Sequence, residues 1–89
     1  MTWDAATTEA LRTVLRELGK SHCACGHEAG PDDVTWGHAG QTEAGTEYGY
    51  VAVTCPVCQA EIVRVTDWSE PETAADATEV LAAWWEEQP

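Results

Sequence analysis

Two close pairs of cysteines constrain this chain more than any other feature of its sequence. Cys23 and Cys25 are separated by one residue, Cys55 and Cys58 are separated by two, and residues 26–54 lie between the pairs. Two cysteines this close in sequence can present both thiolates from one tight turn, and four thiolates complete the tetrahedral shell of a structural zinc site. We therefore predict one zinc ion bound by Cys23, Cys25, Cys55 and Cys58.

Two histidines beside the first pair are alternative ligands. His22 and Cys25 have the two-residue gap that is usual in such sites, so His22 could replace Cys23, and His27 is a third candidate. We rank the four thiolates first because they need no substitution. A complete shell of four protein ligands leaves no position for a reactive water, so we expect a structural rather than a catalytic zinc.

Disulfide bonds or a redox site are the other uses of four cysteines. A disulfide between Cys23 and Cys25 would be strained, since bridged Cα atoms stand ~4.4–6.8 Å apart with specific Cβ directions. Residues 1–4 carry neither a basic stretch nor an apolar leader, which favours the cytoplasm over an oxidising compartment. A redox Cys-x-x-Cys pair would open a helix, whereas Cys55 follows a predicted strand and Cys58 precedes one.

The length and charge of the chain limit its folds and its partners. At 89 residues we expect a single small domain, residues 1–89, whose limited core needs a staple such as zinc. Sixteen acidic residues against four basic ones give a net charge of −12, which repels phosphate backbones and disfavours direct nucleic-acid binding. The same charge suits a protein partner with a basic surface, and the alternative interpretation is an adaptation for solubility, as in salt-adapted proteomes. No apolar run approaches the ~20 residues of a membrane span, so we expect no membrane partner.

The N-terminal segment is predicted to be an amphipathic helix. Residues 3–18 show apolar side chains at 3.6-residue spacing, with Asp4 or Thr2 as the cap and Gly19 as the stop. Three basic residues stand four apart on this helix, and we interpret them as a solvated face: Arg12, Arg16 and Lys20.

Three strands are predicted in the middle of the chain, over residues 34–38, 47–54 and 60–68. The Cys55–Cys58 turn joins the second strand to the third, which makes them a hairpin. The expected fold is therefore α+β: a small three-stranded antiparallel sheet flanked by an N-terminal and a C-terminal helix, both packed against it. Most of its core should come from Leu11, Leu15, Leu18, Val51, Val53, Ile62, Val63, Leu81 and Trp84.

Residues 20–67 resemble the zinc-ribbon superfamily. The resemblance lies in Cys25-Gly26 and above all in the second cysteine turn, VTCPVCQAEI, which is a typical zinc-ribbon knuckle with Pro56 presetting φ for the turn. The first knuckle departs from the pattern, because it has one residue between its cysteines instead of two. The resemblance implies a zinc-stapled ribbon, and the flanking helices match no family that we can name. Zinc ribbons serve many functions, so the fold alone does not select one.

The C-terminal segment is predicted to be an acidic helix. Ser69 and Glu72 have capping-box spacing, which predicts a helix over 71–87, and no basic residue follows Arg64. Tryptophan is enriched at the centres of protein interfaces, so an exposed tryptophan among these acids would anchor a partner. We predict a partner-binding surface made of Glu72, Asp76, Glu79, Trp85 and Glu86.

No nucleophile stands near a free base and no phosphate loop is present in the sequence, so we interpret the chain as a non-enzyme. The favoured function is a small acidic zinc protein that acts as a protein–protein interaction or regulatory module. The alternative is a nucleic-acid mimic that inhibits a host DNA- or RNA-binding protein. Lys20 is the only lysine, which is typical of GC-rich genomes such as those of actinobacteria and their phages. A zinc ribbon that binds nucleic acid directly is disfavoured by the charge.

Overall fold

A computed structural model describes residues 3–68 and 70–87, with the side chains of the last helix described as far as Trp84. Helix α1 (Ala5–Leu18) comes first, followed by a single 3₁₀ turn (Pro31–Asp33). Three strands and a second helix follow in the order β1 (Val34–Gln41), β2 (Glu47–Thr54), β3 (Glu61–Asp67) and α2 (Ala74–Glu87). The predicted α+β class, a three-stranded antiparallel sheet with one helix at each end, is confirmed. Within the described ranges, neither helix is long and apolar enough to cross a membrane.

Helix α1 begins and ends where its sequence predicts. The carboxylate of Asp4 accepts a 2.7 Å hydrogen bond from the backbone N–H of Thr7, which lowers the pKa of that carboxyl. Gly19 ends the helix in the left-handed region at φ 71°, and its N–H donates to the carbonyl of Arg16. The carboxylate of Asp4 at the N-terminus and the guanidinium of Arg16 in the last turn each interact favourably with the helix dipole.

The sheet has the order β1-β2-β3, and all its pairs are antiparallel. The buried face is formed by directly opposed residues: Val51 pairs with Trp36 and Val65, while Val53 pairs with Val34 and Val63. Such cross-strand apolar pairs stabilise the sheet and fix its register.

Strand β1 is longer than predicted. The sequence places its end at His38, because a glycine-rich segment follows, whereas the strand continues to Gln41 opposite Glu47. The register shifts between His38 and Gly40, so a bulge absorbs one residue and pairing resumes beyond it.

The core lies between the sheet and the two helices. Helix α2 packs on β2 and β3, as predicted. Helix α1 was also predicted to pack against the sheet, but it packs chiefly against α2, which lies on the sheet. Trp3 also reaches the sheet, with its ring edge-on to Trp36 at 6.1 Å. Of the predicted core residues, Leu18, Ile62 and Trp84 are only half-buried, whereas the fully packed ones are Leu11, Leu15, Val51, Val53, Val63 and Leu81. The cluster also contains Ala29, Val34, Val65, Ala77 and Val80.

Helix α2 begins later than predicted. Its first residue is Ala74 rather than Pro71, because Thr73 provides the cap: its hydroxyl accepts a 3.1 Å bond from the N–H of Asp76. The predicted cap Ser69 lies outside the described residues. Pro71 is buried instead, in an irregular segment that passes over Gly49 of β2, and we call this segment the crossing segment.

Candidate metal centre

The four cysteines meet at one end of the sheet, where two turns face each other. Cys55 lies just beyond β2, and its N–H donates a 2.9 Å bond to the carbonyl of Ala60, the residue before β3. The second knuckle is therefore the closed end of the β2–β3 hairpin. This part of the predicted site follows directly from the strand pattern.

The first knuckle is a narrow loop between α1 and the 3₁₀ turn. His22 and Glu28 form an isolated antiparallel bridge, and the N–H of Cys23 donates 2.9 Å to the carbonyl of His27. Gly26 closes the loop with a 2.9 Å bond to the carbonyl of Cys23 and takes φ 97°. That conformation favours glycine, because a Cβ would be strained there. The loop holds Cys23 and Cys25 towards the second knuckle.

The thiols approach one another across the two knuckles. Sγ of Cys23 lies 3.3 Å from Sγ of Cys58, and Sγ of Cys25 lies 3.5 Å from Sγ of Cys55. All four sulfurs lie within 4.8 Å of one another, and all four cysteines are free. A tetrahedron with Zn–S bonds near 2.3 Å has sulfur–sulfur edges of roughly 3.8 Å. The spacing is thus close to that of a four-thiolate metal site and well above a disulfide bond of ~2.05 Å.

Backbone N–H groups in the second knuckle favour ionisation of Cys55. Hydrogen bonds from the N–H groups of Cys58 and Val57 lower the pKa of Cys55 to about 6. Donors aimed at sulfur stabilise the thiolate, which is the form that binds a metal.

The pKa values of two other cysteines are raised, because four ionisable thiols lie close together. The N–H of Ala60 lowers the pKa of Cys58, but the neighbouring Cys23 and Cys55 raise it more, to about 12. The pKa of Cys25 is raised in the same way, by Cys55 and Cys23 against the N–H of His27. Several thiolates can therefore coexist only if a cation balances them. The donor set fits a metal ion.

The cluster lies half in the core and half at the surface. Cys23 and Cys55 are buried, whereas Cys25 and Cys58 are exposed. A metal at this position would join the core to both knuckles while remaining reachable from solvent.

The two alternative histidines are not placed with the four thiols. His22 lies 3.7 Å from the carboxylate of Glu28, and its Nδ1 lies 3.1 Å from the hydroxyl of Ser21. Nε2 of His27 lies 2.8 Å from Oδ2 of Asp33, which raises the pKa of His27. The same carboxylate accepts the N–H of Gly30 at 3.1 Å and so ties the first knuckle to the 3₁₀ turn. Among the residues described, only cysteines form the cluster.

Three of the predicted partner-binding residues line one surface groove beside α2. We call it the acidic groove; its volume is about 440 Å³ and its walls are Asp67, Glu70, Pro71, Glu72, Asp76, Glu79, Val80 and Ala83. Five of these eight side chains are carboxylates and none is basic. The side chains of Trp85 and Glu86 lie outside those described, so their predicted place on this surface stays a prediction.

The bases of α1 do not neutralise the acidic groove. The ion pair that Arg16 makes is with Glu9 of its own helix, at 3.9 Å, and Arg64 pairs with Glu61 at 3.7 Å. Within residues 3–68 and 70–84, no lysine or arginine pairs with a groove carboxylate, and the imidazole of His38 lies 3.7 Å from the carboxylate of Glu70. The groove therefore keeps a strong negative charge.

Sequence reasoning missed the surroundings of His38, the last residue of the first predicted strand. It lies on β1 and, with Glu47 and Glu70, forms an exposed group whose ligand atoms lie within 4.8 Å of one another. The strand register brings the first two together, but Glu70 arrives through the crossing segment before α2. No signal in the sequence indicates that approach.

Comparisons with known proteins find no matching family model, no matching curated protein and no matching solved structure. The resemblance to zinc ribbons thus rests on the four cysteines and on the hairpin that presents two of them.

Proposed function

We propose that this chain is a zinc-stapled interaction module that binds a basic segment of a partner protein in the acidic groove. The observation that carries the proposal is the groove itself, which gathers five carboxylates from the end of β3, the crossing segment and α2 without a base among them. Like charges held this close repel one another, and a partner bearing lysines or arginines relieves that repulsion.

The metal has a structural role in this proposal. Four sulfur donors suit zinc, and a closed tetrahedral shell leaves no open position for catalysis. A domain of 89 residues has a small core, so the free energy of metal binding becomes free energy of folding. The chain acts as a binding module and not as an enzyme.

The acidic groove also has an apolar floor, on which the hydrocarbon part of a side chain can pack. Pro71 and Val80 are buried, and Ala83 lies at the surface beside them. The aliphatic stem of a lysine or arginine can pack on such a floor while its charged head meets the surrounding carboxylates. The groove therefore suits an extended basic segment better than a small cation.

The experiment first captures the partner from a host lysate with the zinc-loaded protein and identifies it by mass spectrometry. Surface plasmon resonance then compares the wild type with the groove variant Glu72→Gln/Glu79→Gln. The control Glu17→Gln/Glu43→Gln makes the same change in net charge at two exposed positions outside the groove.

The groove variant should lose about tenfold or more in affinity, with a slower association rate, while the control changes little. An equal effect of both variants would place the recognition surface elsewhere, such as on the outer face of the sheet. Competition between this chain and nucleic acid for the captured partner would favour the nucleic-acid mimic instead.

A further inference from the structure

A second concave site lies between α1 and the first knuckle. It has a volume of about 150 Å³ and is lined by Arg12, Leu15, Arg16, Ser21, His22, Glu28 and Ala29. That volume is roughly ten times the space that one water molecule needs. We call it the arginine pocket. The acidic groove uses none of these residues.

The charge of the arginine pocket is opposite to that of the chain. The whole chain carries only four lysines and arginines against sixteen acids, yet two of its arginines line this one pocket. Counting only arginine and glutamate, two positive charges face the single negative charge of Glu28, which gives a formal charge of +1. A pocket of this kind attracts an anion, although the surrounding protein repels one.

The guanidinium of Arg12 is not engaged within the fold. It makes no hydrogen bond or ion pair with any residue in the described ranges. Arg16 has a 3.9 Å pair with Glu9, in which both side chains are largely exposed, and it donates an exposed 3.4 Å hydrogen bond to Oγ1 of Thr13. Exposed pairs of that length contribute little. Both arginine forks therefore remain able to bind a planar anion through two parallel hydrogen bonds.

The floor of the pocket is apolar. Leu15 is fully buried and Ala29 is 2 % exposed, and the hydroxyl of Ser21 stands beside them as a further donor or acceptor. Ligand sites commonly combine such an apolar floor with a few convergent polar groups.

From this arrangement we infer that the arginine pocket binds a carboxylate attached to a small apolar group. The net charge of +1 balances a monoanion, whereas a doubly charged phosphate would be opposed by Glu28 and by the strongly acidic chain around it. The carboxylate belongs either to a small organic acid or to the C-terminus of a peptide. This inference does not depend on which partner binds the acidic groove.

The test is an NMR titration of the zinc-loaded protein that follows the arginine side-chain N–H signals. The probes are propionate, a short apolar peptide with a free C-terminus, the same peptide as its C-terminal amide, and inorganic phosphate. Propionate, the free-acid peptide or both should shift the signals of Arg12 and Arg16 saturably, and the amide should not. Propionate alone identifies a small acid as the ligand, and a preference for the peptide identifies a C-terminus.

The matched variants are Arg12→Gln and Lys20→Gln, because each removes one positive charge and Lys20, which follows the C-terminal cap of α1, does not line the pocket. Arg12→Gln should weaken binding about tenfold or more, since it removes a charge-assisted pair, and Lys20→Gln should stay within about twofold. Arg12→Lys keeps the charge but loses the planar fork, so its loss should lie between the two.

Three results would overturn the inference. The first is the absence of any saturable shift with propionate and with the free-acid peptide. The second is an equal loss in Arg12→Gln and Lys20→Gln, which would mean that only long-range charge matters. The third is tighter binding of phosphate than of propionate.

Discussion

Gly49 of β2 and Pro71 of the crossing segment are in direct contact, because Gly49 has no side chain. A Cβ atom at Gly49 would stand 2.8 Å from Cδ of Pro71 and 2.7 Å from Cα of Glu70. The segment that leads into α2 therefore passes directly over this strand position. The same close approach holds Glu70 where it can line the acidic groove.

Gly49→Ala is expected to destabilise the fold, since backbone and a proline ring cannot move aside as a flexible side chain would. Overpacking of this kind costs about 1–3 kcal/mol. Chemical denaturation of the zinc-loaded variant measures the change in the free energy of unfolding. Gly30→Ala is the control, because a Cβ there meets nothing within 4 Å and φ is −145°. Equal free energies of unfolding for the two variants would contradict the close passage of the crossing segment over Gly49.

Each knuckle has one residue with a positive φ: a glycine at the tip of the first and a glutamine at the end of the second. Gly26 has φ 97° and Gln59 has φ 65°, so both occupy the left-handed region that costs other residues roughly 1–2 kcal/mol. Gly26→Ala should weaken zinc retention against a competing chelator, and Gln59→Gly should strengthen it. A shift in the same direction for both variants would contradict the strain argument.

The buried face of α2 is expected to be more sensitive to truncation than the edge of α1. Leu81 is fully buried, whereas Leu18 is half-buried. Leu81→Ala should cost about 2–5 kcal/mol, and the same change at Leu18 should cost clearly less, because its site is already open to water. Equal losses in urea denaturation would argue against the packing of α2 on the sheet.

The sequence correctly predicts those parts of the fold that depend on interactions between residues close together in the chain. The cap at Asp4, the stop at Gly19 and the hairpin closed by Cys55 and Cys58 follow from spacing and residue type. The start of α2 was wrong because Pro71 at a predicted first turn has another role, namely packing over Gly49. That contact joins residues far apart in the chain, so no periodic pattern in the sequence indicates it.

The sequence likewise predicts some residues of the candidate sites and misses others. The four cysteines could be predicted from spacing alone, and the structure brings their sulfurs together. The acidic groove needs Asp67 and Glu70 beside the predicted Glu72, Asp76 and Glu79, and only the turn from β3 into α2 places them there. The sequence predicts a solvated face for the arginines of α1, because nothing in it shows that residues 21–29 fold against them.

Substitutions within the second knuckle should separate ligands from their neighbours. Cys58→Ser should abolish stoichiometric zinc binding and unfold the hairpin, because it removes a thiolate from a shell of four. Val57→Ser is the matched control, since Val57 lies in the same turn and is 70 % exposed. Metal analysis and near-ultraviolet circular dichroism of both variants provide the readout. Retention of one zinc by Cys58→Ser would remove Cys58 from the ligand set.

The most direct test of the whole account is the metal content of the purified protein, measured together with the number of thiols that react before and after chelation. We expect one zinc per chain and no iron, four protected cysteines in the zinc-loaded protein, and four reactive ones once a chelator removes the metal and the sheet unfolds. A metal-free protein that keeps its near-ultraviolet signal while all four thiols react would contradict the account.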